Sequence, residues 1–333
     1  MNSPWKRWLW RGVKLALGVL VLVFVGIQFQ RDLADLDLNE IRLRPGWLIA
    51  SGGLYLLALL PSALFWQHLH RQFGYPISPF AAVRAHFVGQ LGKYVPGKAL
   101  AILIRANLVH PYGVPYGVSI ITSFYEVFTG MAAGAMIAAL VFAIDPPSAG
   151  AELLHRIGLE WSPLWFGLVL VALCGIPLLP GVFNFVIGKL TAKIQAIELY
   201  RLPPVQFPTL AKGLMATAAG WWLQGLSVWA MLHAVLLKNE PELSLEVWAQ
   251  CCAAIAFANV AGFVVFILPA GFGLRESFLL MLLGNLGPHK YIAVAVLLLR
   301  LDWIVAESVF ALCAYSIKPA GERIEPAESD APK

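Results

Sequence analysis

The chain has 333 residues, of which 59% are hydrophobic and 13% charged, about half the charged share of an average soluble domain. With a mean hydropathy of +0.73, this excludes a soluble globular domain and predicts an all-α polytopic membrane protein. The formal charge of +5 then gives no reason to expect a nucleic-acid partner; it reflects lysines and arginines that orient a membrane chain.

In chain order, a basic start (Lys6, Arg7, Arg11, Lys14) precedes an apolar run over Val13–Phe29. Gln28-Phe29-Gln30-Arg31 stands where a signal peptide would need small residues, so the run is read as an uncleaved first span. Further spans are expected at Trp47–Trp66, Tyr116–Ile144, Pro163–Pro180, Pro208–Leu237 and Tyr291–Ile317, each near the roughly 20 residues that cross hydrocarbon. Two other apolar stretches, 80–109 and 247–284, are cut by proline–glycine breaks. Both are read as re-entrant helical hairpins, because a broken backbone survives at membrane depth only inside protein or beside a wet cavity. Val247–Leu268 is long enough to cross by itself, so eight spans are the alternative to six spans and two hairpins. Cys174, Cys251, Cys252 and Cys313 lie in apolar segments without metal-ligand spacing and are read as packing residues.

Loop charge sets the topology. Arg31–Arg44 holds four acids and three arginines, and Asp145–Glu160 three acids and one arginine. Lys238–Glu246 holds three acids and one lysine, whereas the loop with Lys189, Lys193, Arg201 and Lys212 holds only Glu198. That loop and both termini are therefore placed in the cytoplasm and the acidic loops outside. Six spans alternate correctly only if each hairpin returns to its own side, the first facing the cytoplasm and the second the opposite face. The result is one transmembrane domain over 1–317 with inverted halves, about 1–144 and 163–317, and a polar tail at 318–333. Within the second half, Phe183, Val186, Ile187, Leu190, Ile194 and Ile197 recur at helical spacing among Lys189, Lys193 and Arg201. Gly181–Arg201 is thus expected to be a basic amphipathic helix on the cytoplasmic leaflet.

Charge at membrane depth concentrates at the breaks. At the first, Pro96-Gly97 ends one helix and starts another at Lys98. Lys98, Ile102 and Arg105 share a face there, and His86, Gln90 and Lys93 share one upstream. Cations around a helix N-terminus suit a phosphate. Lysines snorkelling from a shallow turn are the plainer reading. At the second break, Pro269, Ala270, Gly271 and Gly273 lead into Arg275-Glu276. Adjacent charges do not face each other on a helix. Arg275 is therefore expected to meet an anionic ligand and Glu276 a cation from the first half, against a structural ion pair as the alternative. Ser119, Thr122, Glu126 and Thr129 form a polar stripe that must face the interior, with Glu126 as a titrating or coupling group or a structural partner of Arg84, Lys98 or Arg105. In the last span Arg300 and Glu307 lie on one face, with Asp302 off it. Gln224, near Thr217 and Ser227, is read as an interhelical hydrogen-bonder.

No P-loop, HExxH or GxSxG pattern occurs, so no catalytic residue, metal or cofactor is assigned. Asp35 and Asp37 would suit a metal-dependent membrane glycosyltransferase, a second reading. The run Gly89–Lys98 through Arg105, then Glu126, then Leu268–Glu276 resembles the flippase-like transmembrane domain of lysylphosphatidylglycerol synthases over nearly the whole chain. The resemblance implies a polytopic fold that moves, or helps to use, an anionic or isoprenoid-linked lipid. The synthase's soluble aminoacyl-transfer domain would need more than the 16 residues after Ile317, so its activity is not expected. Many relatives also carry Glu-Arg in the third span where this chain has Glu126-Val127, so a partner for Glu126 must come from elsewhere. The expected function is a flippase-like lipid transporter of the cytoplasmic (inner) membrane, not an enzyme. Its expected partner is a lipid with a phosphate-bearing headgroup, bound through Lys93, Lys98, Arg105 and Arg275. A third reading is a non-transporting subunit that docks a glycosyltransferase or lipid-synthesis enzyme.

Overall fold

The computed structural model describes residues 43–94, 99–145, 163–193, 203–235, 242, 244–264 and 273–317. The expectations for Val13–Phe29, Asp35 and Asp37, Pro96 to Lys98, Ile194 to Arg201, Pro269 to Gly271 and the tail lie outside them.

Regular structure among the described residues is helical throughout. Helix α1 (Pro45–Gln72) opens on a proline, whose fixed φ and missing N–H suit a first turn. Helix α2 (Pro79–Gln90) starts the same way, with Ala81 N donating to Ser78 Oγ at 3.2 Å as an N-cap. A 3₁₀ turn at Leu91–Tyr94 follows, and α3 (Ala99–Val109) packs back against α2. The hairpin expected over 80–109 is therefore present as two touching arms. Gly92 lets them touch, since a Cβ there would sit 2.7 Å from Ala101 Cα. Gly92→Ala is expected to destabilise the detergent-solubilised protein by about 1–3 kcal/mol, the usual cost of overpacking. An unchanged melting temperature would contradict this close approach.

The remaining helices are α4 (Tyr116–Ile144), α5 (Pro163–Gly175), α6 (Pro180–Lys193), α7 (Phe207–Val235), α8 (Leu245–Val264), α9 (Leu274–Leu283) and α10 (His289–Ser316). Helices α1 and α7 run antiparallel. Arg44 N donates to Ala234 O at 3.1 Å near one end, and Thr209 Oγ1 to Gln72 Oε1 at 2.8 Å near the other. Helix α8 packs on α7, α4 and α9, and α10 packs on α1, α2, α7 and α9.

The bundle buries charged groups within a largely apolar core and also turns apolar side chains outward. Glu126, Glu276, Glu307, Arg105, Arg300, His70 and His86 are buried, whereas Ile49, Leu140, Ile144, Val305 and Leu312 are exposed. Charge turned inward and apolar side chains turned outward are the mark of a chain whose solvent is lipid. The protein is an all-α membrane protein.

Three described helices are long and apolar enough to cross by themselves: α1, α4 and the 245–263 part of α8. Helix α8 therefore reaches full span length, as the sequence alternative allowed, before α9 turns back against it. Helices α7 and α10, at 29 and 28 residues, have the length but carry polar groups that they bury. The stretch Pro163–Pro180 differs from expectation. Helix α5 has only 13 residues, about 20 Å at 1.5 Å each. A break then bends the chain by 56° into α6. Prolines at 177 and 180 account for the break, because neither can continue a helical ladder.

Helix α6 supplies the described part of the expected amphipathic helix. Phe183 packs on Tyr125 at 4.6 Å between ring centroids, Val182, Phe185 and Val186 are exposed, and Lys189 lies over the Phe185 ring. Cys174, Cys251 and Cys252 are buried, but Cys313 is exposed beside Leu312 and does not pack internally.

Candidate functional site

Helices from both halves enclose a cavity of about 330 Å³. The turn after α2 brings Lys93 and Tyr94 to it, α3 brings Arg105, and α4 brings Glu126. Helix α9 brings Arg275, and α10 brings Arg300 and Trp303. His86 and Gln90 also line it, as their shared face with Lys93 predicts. Ile102 and Arg105 line it together. Lys98, one turn before Ile102, lies outside the described residues.

Among the described residues that line the cavity, each lysine and arginine but one is paired with a carboxylate. Arg105 Nη1 donates to Glu126 Oε2 at 2.8 Å, with both side chains almost fully buried at 5% and 6% exposure. His86 Nε2 lies 3.5 Å from the other oxygen, Glu126 Oε1. The partner that Glu126 lacks at position 127 is thus supplied by the first hairpin, and the polar stripe of Ser119, Thr122, Glu126 and Thr129 is wholly buried. Arg105 also sits over the Trp66 ring, whose Nε1 donates to Thr122 Oγ1 at 3.1 Å.

Glu307 is completely buried and gathers three donors. Lys93 Nζ and Tyr55 Oη donate to its Oε1, and Tyr94 Oη to its Oε2 at 2.7 Å. Lys93 therefore points inward, with its side chain 28% exposed, instead of snorkelling from the turn.

Glu276 pairs with Arg300 on α10 and accepts Gly273 N at 2.7 Å. Its cation comes from the second half, not from the first as the sequence reading had it. The reason is local: α9 folds onto α10, its neighbour in the chain. Gly273 at φ 90° makes the turn, a conformation that an L side chain rarely adopts.

Arg275 is the remaining cation. Its guanidinium lies 4.8 Å from the Trp303 ring centroid. Its Nε has no hydrogen-bond partner, and it makes no ion pair among the described residues. Trp303 is held by a stacked Tyr55 at 4.0 Å and by donation from its Nε1 to Ser227 Oγ at 2.9 Å. Among the described residues, Lys93, Arg105, Arg275 and Arg300 against Glu126, Glu276 and Glu307 give four cations to three carboxylates, a surplus of one positive charge.

Two sequence candidates belong elsewhere or act differently. Arg84 donates to Ala314 O at 3.0 Å and Tyr315 O at 3.3 Å, closing the end of α10, so it is not the partner of Glu126. Gln224 makes no interhelical hydrogen bond among the described residues and lines the cavity; Ser227 makes that bond instead, to Ser51 O at 2.8 Å.

Tyr55, Tyr94, Trp303 and Asn259 were not singled out from the sequence. Trp303 had a signal, since it shares a face with Arg300 and Glu307 at helical spacing. Asn259 had another, an amide alone in the apolar run of α8. No group of three His, Cys, Asp or Glu side chains among the described residues is placed to hold a metal.

An all-helical bundle with apolar surface and a charged cavity at membrane depth defines the class: a polytopic membrane protein with an interior polar site. The chain belongs to the family described as Lysylphosphatidylglycerol synthase TM region, whose pattern matches residues 12–301. That family makes it a lipid-related membrane protein. No curated protein matches the chain.

Proposed function

We propose that the cavity receives the phosphate of a lipid headgroup at Arg275 and that the protein carries this lipid between the leaflets of the cytoplasmic membrane. The observation that supports this most is the charge surplus of one among the described residues, located on Arg275 in the cavity wall. A guanidinium at that depth is costly without an anion, and its planar fork suits a phosphate. Lys93, part exposed, is the second contact. Arg105 is already engaged by Glu126 and holds the α3 wall in place.

Phe124 lines the cavity while about half exposed, at 48%. It gives the acyl or isoprenoid chain an apolar edge along which to leave. Transport rests on two broken segments in corresponding places of the two halves, the arrangement that brackets a transporter's site.

Reconstituted protein is expected to move a fluorescent polyprenyl phosphate between leaflets, with Arg275→Gln at least about tenfold slower, the equivalent of about 1.4 kcal/mol. A wild type that moves neither this lipid nor anionic phospholipid would overturn the transport reading in favour of a docking subunit. The orientation carries its own expectation. Single cysteines at Arg156 and Lys193, in a cysteine-free background, should label from opposite sides of intact cells. Labelling from one side would contradict the topology.

A further inference from the structure

The cation cluster accounts for one end of a headgroup and leaves part of the cavity wall unexplained. Gln224 on α7 and Asn259 on α8 both line the cavity, part buried, on helices that pack together. Neither makes a hydrogen bond among the described residues. Three other polar side chains of the same two helices are satisfied. Thr217 Oγ1 donates to Gly213 O at 2.8 Å, Ser227 Oγ to Ser51 O at 2.8 Å, and Gln250 Nε2 to Leu282 O at 2.8 Å.

An amide left open at membrane depth costs free energy unless water or a ligand completes it. A fully ionised phosphate cannot complete it, because its oxygens only accept and the amide carbonyl also needs a donor. A hydroxyl both donates and accepts, and an array of hydroxyls matches two amides. Trp221, on the same wall, is fixed by donation from its Nε1 to Gly130 O at 2.7 Å. It adds a rigid apolar surface of the kind that a sugar ring packs against. Asn259 and Arg275 line the same cavity from α8 and α9, which pack on each other. At about 330 Å³, the cavity is near the small end of ligand sites and fits a headgroup while the chain stays outside.

We propose that Gln224 and Asn259 form a neutral recognition wall for the hydroxyl groups of a glycosyl unit carried on the lipid phosphate. This deepens the lipid-phosphate reading and rests on it. The ligand class narrows from any anionic lipid to a polyprenyl-phosphate sugar.

The test compares three probes on the purified full chain in nanodiscs: polyprenyl phosphate, the same lipid bearing one hexose, and phosphatidylglycerol. The wild type is expected to bind the hexose-bearing lipid at least about tenfold more tightly than bare polyprenyl phosphate, the worth of about 1.4 kcal/mol. In Gln224→Leu with Asn259→Leu the ratio should fall to within about threefold, less than one net hydrogen bond. Arg275→Gln should weaken both polyprenyl lipids in proportion. Single Gln224→Ala and Asn259→Ala variants, each expected to lower the ratio in part, cover the case in which the double variant does not fold. No preference in the wild type, or an undiminished preference in these variants, overturns the amide wall; bound bare lipid would then leave the phosphate reading standing. Phosphatidylglycerol bound as tightly as the hexose-bearing lipid overturns the glycosyl assignment. A wild type that binds none of the three overturns both readings.

Discussion

Replacing Glu126 by glutamine is expected to destabilise the purified protein by about 3–5 kcal/mol, the cost of stranding a buried charge. The stranded charge is Arg105, almost fully buried, with its Nε already unpartnered. His86, 3.5 Å from the same carboxylate, loses its negatively charged neighbour as well. The interpretation depends on the pair being removed together. Arg105→Met with Glu126→Leu should recover most of the stability, since apolar replacement of a whole buried pair is commonly neutral or favourable. Denaturant titration in detergent measures both. A Glu126→Gln protein within about 1 kcal/mol of wild type would mean that water reaches the pair and that it is not a structural clamp. If the double variant is stable yet still transports, Glu126 has no role in coupling. If it is stable and inert, the pair does more than hold α3 to α4.

The second large effect is expected at Glu307. Its two oxygens take donors from Tyr55, Lys93 and Tyr94. Glutamine would offer its own N–H₂ to one of them, donor against donor. The cost should lie at the lower end of the same range, about 3 kcal/mol, because Lys93 is 28% exposed and water shares its charge. Function should suffer more than stability. Tyr55 stacks on Trp303, and Trp303 carries Arg275, so loosening Tyr55 moves the proposed phosphate contact. Glu307→Gln should therefore slow lipid movement at least as much as Arg275→Gln, by about tenfold or more. Lys93→Met, which leaves both tyrosine bonds in place, should slow it less. Equal rates in wild type and Glu307→Gln would separate this cluster from the site.

The sequence made some of this arrangement legible because period and cost are local properties. Helical spacing alone put His86, Gln90 and Lys93 on one face, and all three line the cavity. The same arithmetic put Ser119, Thr122, Glu126 and Thr129 on the buried face of α4. Adjacent charges at 275 and 276 required separate partners, and they have them: Trp303 for Arg275, Arg300 for Glu276.

What stayed hidden were pairings across long sequence separations. Nothing local links Lys93 to Glu307, 214 positions away, so a snorkelling lysine stayed open beside the inward reading. Tyr55 lies in an apolar run where an aromatic ring carries no signal, and only the fold shows it stacked on Trp303. The bend between α5 and α6 was partly readable, since the prolines were visible. Hydropathy does not report a change of direction, and the run was taken as one span. Gln224 illustrates the same limit from another side. Polarity in a span signals a partner, but not whether that partner is another helix or the contents of a cavity.

Arg275 is the cavity cation without an ion pair among the described residues, and the proposal is that a lipid phosphate completes it. Native mass spectrometry of the protein purified in mild detergent tests this directly, by comparing the lipids retained by wild type, Arg275→Gln and Arg84→Gln. Arg84 serves as the control because it binds the end of α10, away from the cavity. A phosphate-bearing lipid is expected on wild type and Arg84→Gln, with most of it lost from Arg275→Gln. Equal retention by all three, or no phosphate-bearing lipid on the wild type, would contradict it.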